Sequence, residues 1–258
     1  MQAHIVIAHP EPKSFNHHLA RVAKNELERQ GWSVSLSDLY QKGFDPCERF
    51  SHYTNPIDSE RFNVQAEQRN ACQHAHIPPD VKEEIELLDA ADLLLLQYPM
   101  WWHLPPAILK GWFDRVFIYG EVYTSKKRFE HGRFLGKQAL LSVTVGTSRD
   151  TYAYNGRSGD IDMLLWPIHF NLAYVGYTVL QPFVAYGVEA GIQYSNQEII
   201  ERRLQEIPED LVSYLRTLKD VQSIDFNTMN DWDSSGTITA SAPAYSPFIR
   251  HNSDLDLG

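Results

Sequence analysis

The chain has 258 residues, with 23 Lys and Arg against 33 Asp and Glu, a formal net charge of -10. That acid excess argues against non-specific nucleic-acid binding, which needs a basic face. Small anionic ligands stay open, because local groups hold those. Two cysteines, Cys47 and Cys72, are too few for a disulfide framework and suit a reducing cytoplasm. Met1 to His9 carries no basic leader. The most apolar stretch, Ala90 to Trp102, is interrupted by Asp92, Gln97 and Pro99 and is too short to insert in a membrane.

Taken in order, Ala3 to His9 predicts a buried strand. Phe15 to Gln30 predicts a helix from the spacing of Leu19, Val22, Ala23 and Leu27, with Gly31 as its stop. Trp32 to Leu36 is strand-like. Residues 43–79 hold Pro46, Pro56, Pro78 and Pro79 and no long period. They predict a long inserted loop with at most one short helix, of the kind that serves function or an interface. From Asp80, the spacing of Val81, Ile85 and Leu88 marks a helix. Ala91 to Tyr98 reads as a central parallel strand. Pro105 and Pro106 open a helix over Ala107 to Phe117. Then follow a strand over Gln138 to Val145, a helix over Asp160 to Tyr174, a fifth strand over Tyr177 to Val184, and a helix over Asn196 to Lys219. Residues 1–220 thus form one α/β domain: a doubly wound five-stranded parallel sheet with helices on both faces. Residues 221–258 form a polar extension. Insertion and extension are both expected to pack on a partner copy.

Such sheets bind ligands outside the carboxyl ends of their strands, so three loops matter. The first, His9 to Asn16, offers Ser14 and Asn16 as N-cap types before a helix start whose free N–H groups suit a phosphate. An ordinary capped helix would look the same. It holds neither GxGxxG nor GxxxxGK[ST]. The second, Tyr98 to Pro106, carries Pro99, Met100, Trp101, Trp102 and His103. Adjacent tryptophans there suit a planar ligand, or cap the core beneath the insertion. The third runs through Thr144, Val145, Gly146, Thr147 and Ser148 to Tyr152 and Tyr154. Small residues there allow close approach of a ring edge, and a tyrosine can donate to it.

With these loops go Gly31-Trp32, Ser37-Asp38-Leu39-Tyr40, Leu165-Trp166-Pro167-Ile168 and, above all, Pro106-Ala107-Ile108-Leu109-Lys110-Gly111-Trp112-Phe113. In these the chain resembles the NAD(P)H:quinone oxidoreductase family, the FAD-containing branch of the flavodoxin-like fold, in the style of its bacterial members. The resemblance implies a homodimer that passes two electrons as hydride from NAD(P)H through FAD, rather than FMN, to a quinone by a ping-pong route. It implies that His9, Ser14, Phe15, Asn16 and Asn63 touch the cofactor's phosphates, ribose and adenine. Pro99, Met100, Trp101, Trp102 and His103 would lie along the flavin ring, and Thr144, Val145, Gly146 and Thr147 on its polar edge. Tyr152 would support charge on the reduced ring. Tyr123, His103 and Tyr154 would face the substrate, Tyr123 across the dimer.

The chain departs from the family where a histidine is expected, at Ser158; Arg157 beside it is a possible substitute, or a solvated loop arginine. His103 replaces an aromatic, Gly146-Thr147 a Gly-Gly pair, and Ser125 a second tyrosine. Two other functions stay in view: a regulatory flavoprotein subunit of a membrane transporter, and a flavodoxin-type electron carrier. His17-His18 and His74-x-His76 read as surface or structural groups, and no metal site is expected.

Overall fold

The computed structural model describes residues 1–189 and 195–252. Its centre is a parallel sheet with strands β1 (Gln2–Ile7), β2 (Ser33–Asp38), β3 (Leu93–Pro99), β4 (Gln138–Val145), β5 (Thr178–Val179) and β6 (Phe183–Tyr186). The order is β2-β1-β3-β4-β5, with β6 also on β4. This is the flavodoxin-like order, whose direction reverses between β1 and β3. All seven residues of β3 are buried, as expected for a strand covered on both faces. Each buried leucine there contributes roughly 1.5–3 kcal/mol.

The expected single fifth strand is two. β5 pairs with Gln138 and Ala139, and β6 with Ser142 to Val145. Between them lies Pro182, which has no N–H to donate to a ladder. Gln181 N–H turns instead to the Gln222 carbonyl, at 3.0 Å.

Helices cover both faces. α1 (Phe15–Arg29) and α6 (Gln197–Arg216) share one core with Ala3, Ile5, Ile7, Leu93 and Leu95. α3 (Pro79–Ala90), α4 (Ala107–Val116) and α5 (Ile161–Tyr174) share the other with Val6, Leu94, Leu96 and Val143. The alternation along β1 and β3 is the two-residue pleat. α2 (Val64–Gln73) is the short helix of the insertion.

The insertion packs on its own chain. Phe44 and Tyr53 are buried. Arg115 of α4, also buried, donates to the Asp45 carbonyl and to the Asp80 carboxylate. Its guanidinium lies 5.1 Å from the Phe44 ring centre. Pro46 sits so close to α4 that a β-carbon at Gly111 would stand 2.1 Å from its carbonyl oxygen. The extension also folds back. Ile224 N–H bonds the Val179 carbonyl at 2.8 Å, and Phe248 stacks on Trp166 at 4.8 Å. Both segments therefore pack in part on α4, α5 and β5 of their own chain.

Beneath α3 a charged group is fully buried. Glu84 accepts from Ser37 Oγ at 2.6 Å, Trp112 Nε1 at 2.9 Å and Lys42 Nζ. Burial alone would raise its pKa, but these donors and the nearby His4 outweigh it and hold the carboxyl at about 2.

Candidate active site

The first loop leaves β1 at the switch point. Ser14 caps α1, its oxygen accepting the His17 N–H at 3.3 Å. The N–H groups of Phe15 and Asn16 are left without an intrahelical acceptor, the ordinary condition of a helix start. One expectation is corrected here: the Asn16 side chain is not a cap. It turns inward, donating to Thr144 Oγ1 at 3.0 Å and accepting from Gln97 Nε2 at 2.8 Å. A buried amide must find partners, and these tie α1 to β3 and β4. Gln97 Oε1 in this layer has no hydrogen-bond partner. His9 is half-buried; burial lowers its pKa, and its Nδ1 accepts the Glu11 N–H at 3.1 Å.

The second loop leaves β3 beside it. Met100 N–H bonds the Thr144 carbonyl at 2.9 Å. Trp101 and Leu104 then exchange both backbone hydrogen bonds, at 2.9 and 3.0 Å. The residues between them, Trp102 and His103, have φ of 52° and 63°. Two positive φ values in a two-residue turn are the mark of a type I′ hairpin, a place for Asn-Gly. Bulky residues there cost roughly 1–3 kcal/mol each. The tryptophans do not cap the core: Trp101 is 41% and Trp102 93% exposed. Trp101 stands edge-on to His9, with ring centres 5.7 Å apart.

The third loop leaves β4 at Val145. A β-carbon at Gly146 would meet only the Val188 carbonyl oxygen, at 4.0 Å, so the loop is open there. Thr147 bonds the Thr151 hydroxyl. Tyr152 ends a 3-10 turn, Arg149–Tyr152. Burial raises its pKa, with Thr147 opposing, so the hydroxyl stays a donor at neutral pH. A groove of about 570 Å³ runs past Tyr152, lined also by Arg149, Tyr154, Asp162 and Tyr186. Arg149 and Tyr186 were not foreseen. The guanidinium lies 5.9 Å from the Tyr186 ring centre, and Tyr186 is 6.3 Å from Tyr152. Arg149 belongs to the third loop but carried no role there, and no local motif announces Tyr186, since β6 brings it in from 34 positions downstream of Tyr152. Tyr154 is exposed on the same groove. Arg157 is exposed and Ser158 gives its N–H to the Thr151 carbonyl at 2.8 Å; neither lines the groove.

Asn63 and Tyr123 are not among these loops. Asn63 caps α2, accepting the Ala66 N–H at 3.2 Å. Tyr123 bonds Gln65 of α2 at 3.3 Å. It lines a cleft of about 790 Å³ with Phe117, Tyr174 and Lys110, and no strand-end residue shares that cleft. His74 and His76 stack on each other at 5.8 Å, and among the described residues no cluster could hold a metal ion. Burial raises the Cys72 thiol to about 11, which makes it a poor nucleophile. Among the described residues no helix is long and apolar enough to cross a membrane.

The donors at the strand ends fit a flavin. Unpaired N–H groups at the start of α1 suit a phosphate. The strained turn presents aromatic faces for a planar ring. The open backbone at Gly146 and the Tyr152 hydroxyl offer donors to a polar ring edge.

Comparison with known proteins agrees. A family model described as flavodoxin-like fold matches residues 1–211. NAD(P)H dehydrogenase [quinone] 1 of Cavia porcellus is 40% identical over 189 residues, 72% of this chain and 69% of that protein. The Rattus norvegicus protein of the same name is 37% identical over 218 residues, 83% and 80% of the two chains. A crystal structure described as a quinone reductase from Klebsiella pneumoniae superposes with a TM-score of 0.83 at 31% identity, covering 92% of this chain and 93% of that one.

Proposed function

The chain belongs to the NAD(P)H:quinone oxidoreductase family of flavodoxin-like fold, and from that premise we propose that it is an NAD(P)H:quinone oxidoreductase carrying FAD at the carboxyl ends of β1, β3 and β4. The observation that carries this reading is the strained Trp101–Leu104 turn, which holds Trp101 against His9 and Trp102 in solvent. A flavin bound there would supply two-electron hydride transfer between NAD(P)H and a quinone. The chain's own residues do the rest. The N–H groups of Phe15 and Asn16 and the Ser14 hydroxyl hold phosphate. Trp102 and His103 bracket the ring. Tyr152 donates its hydroxyl hydrogen toward developing negative charge, in a site that β4 and β6 keep rigid.

The working unit in this reading is a homodimer. Tyr123 and Asn63 lie on the α2–α4 side of the chain, with Tyr123 in a cleft separate from the strand-end loops. In this reading Tyr123 reaches the substrate pocket from a second copy, as the resemblance implies. Free Cys47 and Cys72 suit a reducing cytoplasm.

The test is steady-state NADH and NADPH oxidation with menadione, together with release of the cofactor and its comparison with FAD and FMN standards. Quinone-dependent turnover with FAD released is expected, and Tyr152→Phe should lower kcat by about a hundredfold. Flavin-loaded protein without quinone-dependent turnover would overturn the activity. Release of FMN alone would overturn the cofactor.

A further inference from the structure

Behind the start of α1 lies a second polar layer. Ser14 Oγ is 3.1 Å from His17 Nδ1, and His17 Nε2 is 2.9 Å from Asp38 Oδ2. The other carboxylate oxygen, Asp38 Oδ1, accepts the N–H groups of Tyr40 and Gln41, each at 3.1 Å. The carboxylate is therefore held in place. The side chains of His17 and Asp38 are only 11% and 10% exposed, so of the surface and structural readings of His17 the structural one fits.

Counting hydrogens limits what this relay can do. An ionised carboxylate only accepts, so His17 Nε2 carries a hydrogen. When the ring is neutral, Nδ1 is a lone pair and takes the single Ser14 hydroxyl hydrogen. Ser14 then has nothing to donate to a phosphate oxygen. When the ring is protonated, Nδ1–H donates to Oγ instead, and the hydroxyl hydrogen is free to turn outward. Charge-assisted bonds of this kind are about twice as strong as neutral ones.

We propose that His17, held by Asp38, is a positioning residue that takes up a proton as the cofactor's phosphate docks and so frees the Ser14 hydroxyl to donate to it. This rests on the reading of the α1 start as the phosphate end of an FAD site. One proton moves from solvent to His17 Nδ1, and no covalent bond changes. Around His17 stand Asp38 from β2, His9 from the loop after β1 with its ring centre 6.2 Å away, and Glu11, which faces His9. His18, the next residue of α1, stacks on Phe15. Burial lowers the His9 pKa and its Nδ1 is occupied as an acceptor, whereas His17 has the Asp38 carboxylate at Nε2, so His17 is the group placed to carry the positive charge.

The test measures dissociation constants of the full chain for FAD and for riboflavin by flavin fluorescence, from pH 5.5 to 8.5. Riboflavin has no phosphate, and the FAD diphosphate does not titrate in this range. For the unaltered chain, FAD affinity should fall with rising pH by up to about tenfold per pH unit, while riboflavin affinity stays level. His17→Asn should remove the slope for FAD. Asp38→Asn should keep a slope but move the decline to lower pH. Calorimetry in buffers of different ionisation heat should find uptake of up to about one proton with FAD and none for His17→Asn. The same pH slope in the unaltered chain and in His17→Asn, or no proton uptake, would overturn the proposal alone. Failure to bind FAD at any pH would overturn the cofactor assignment and this proposal with it.

Discussion

Glu84 is a carboxylate with no solvent exposure under α3, whereas Trp102 is an indole 93% exposed at the end of β3. Each is out of place by the usual distribution of residue types. The difference lies in what surrounds them. Every interaction of Glu84 is with its own chain: Ser37, Lys42 and Trp112 satisfy its oxygens. The network is closed and contributes to one packing arrangement of β2, α3 and α4. Trp102 is held by a backbone at positive φ and stands in solvent, open to whatever docks there. A buried charge with all its partners points to structure, and an exposed aromatic on a strained turn points to function.

The largest expected effect is at the buried end. Glu84→Leu leaves the Lys42 ammonium, the Trp112 N–H and the Ser37 hydroxyl without their acceptor and should cost about 3–5 kcal/mol in urea unfolding. A loss below about 1 kcal/mol would break the contrast. The same network sets an acid limit. The folded-state pKa of Glu84, about 2, lies below its ordinary 4.5, so its contribution is complete above pH 4.5 and lost as the pH falls toward 2. Unfolding free energies at pH 7 and pH 3 should differ more for the unaltered chain than for Glu84→Gln, by up to about 2 kcal/mol.

Gly111→Ala is next. The added carbon meets the Pro46 backbone carbonyl, which cannot swing aside as a side chain would. A loss of about 2–3 kcal/mol is expected, and a neutral substitution would mean the insertion rides loosely on α4. The smallest effect on stability is at the strained turn and has the opposite sign. Replacing Trp102→Asn and His103→Gly together supplies residues that accept positive φ and should raise stability by about 1 kcal/mol. Quinone reduction should meanwhile fall at least about tenfold. A gain in stability with unchanged turnover would remove the turn from the site.

The alternating strands and helices were readable because each is long and periodic, and β4 was placed to the residue, from Gln138 to Val145. β5 and β6 were merged because Tyr177, Val179, Leu180, Phe183 and Val184 are apolar and lie close together in the chain, and Pro182 marks a break only when its neighbours must pair with β4. The strand-end loops were found because a parallel sheet directs attention to them. Asn16 was misread for a related reason: asparagine is a good cap on composition, and only the approach of Gln97 and Thr144, far away in the chain, draws it inward. His17 was set aside because its partner Asp38 is 21 positions away, on a strand whose register against β1 no local pattern reveals.

Local chemistry therefore settled the element types, the parallel alternation of strands and helices, and the three strand-end loops. These follow from periodicity, turn residues and the handedness of parallel connections, all of which act over short stretches. Tertiary packing alone decided the Glu84 network, the docking of the insertion through Arg115 and Gly111, and the Ser14–His17–Asp38 relay. Each joins residues far apart along the chain, and their hydrogen-bond geometry exists only once the strands stand side by side.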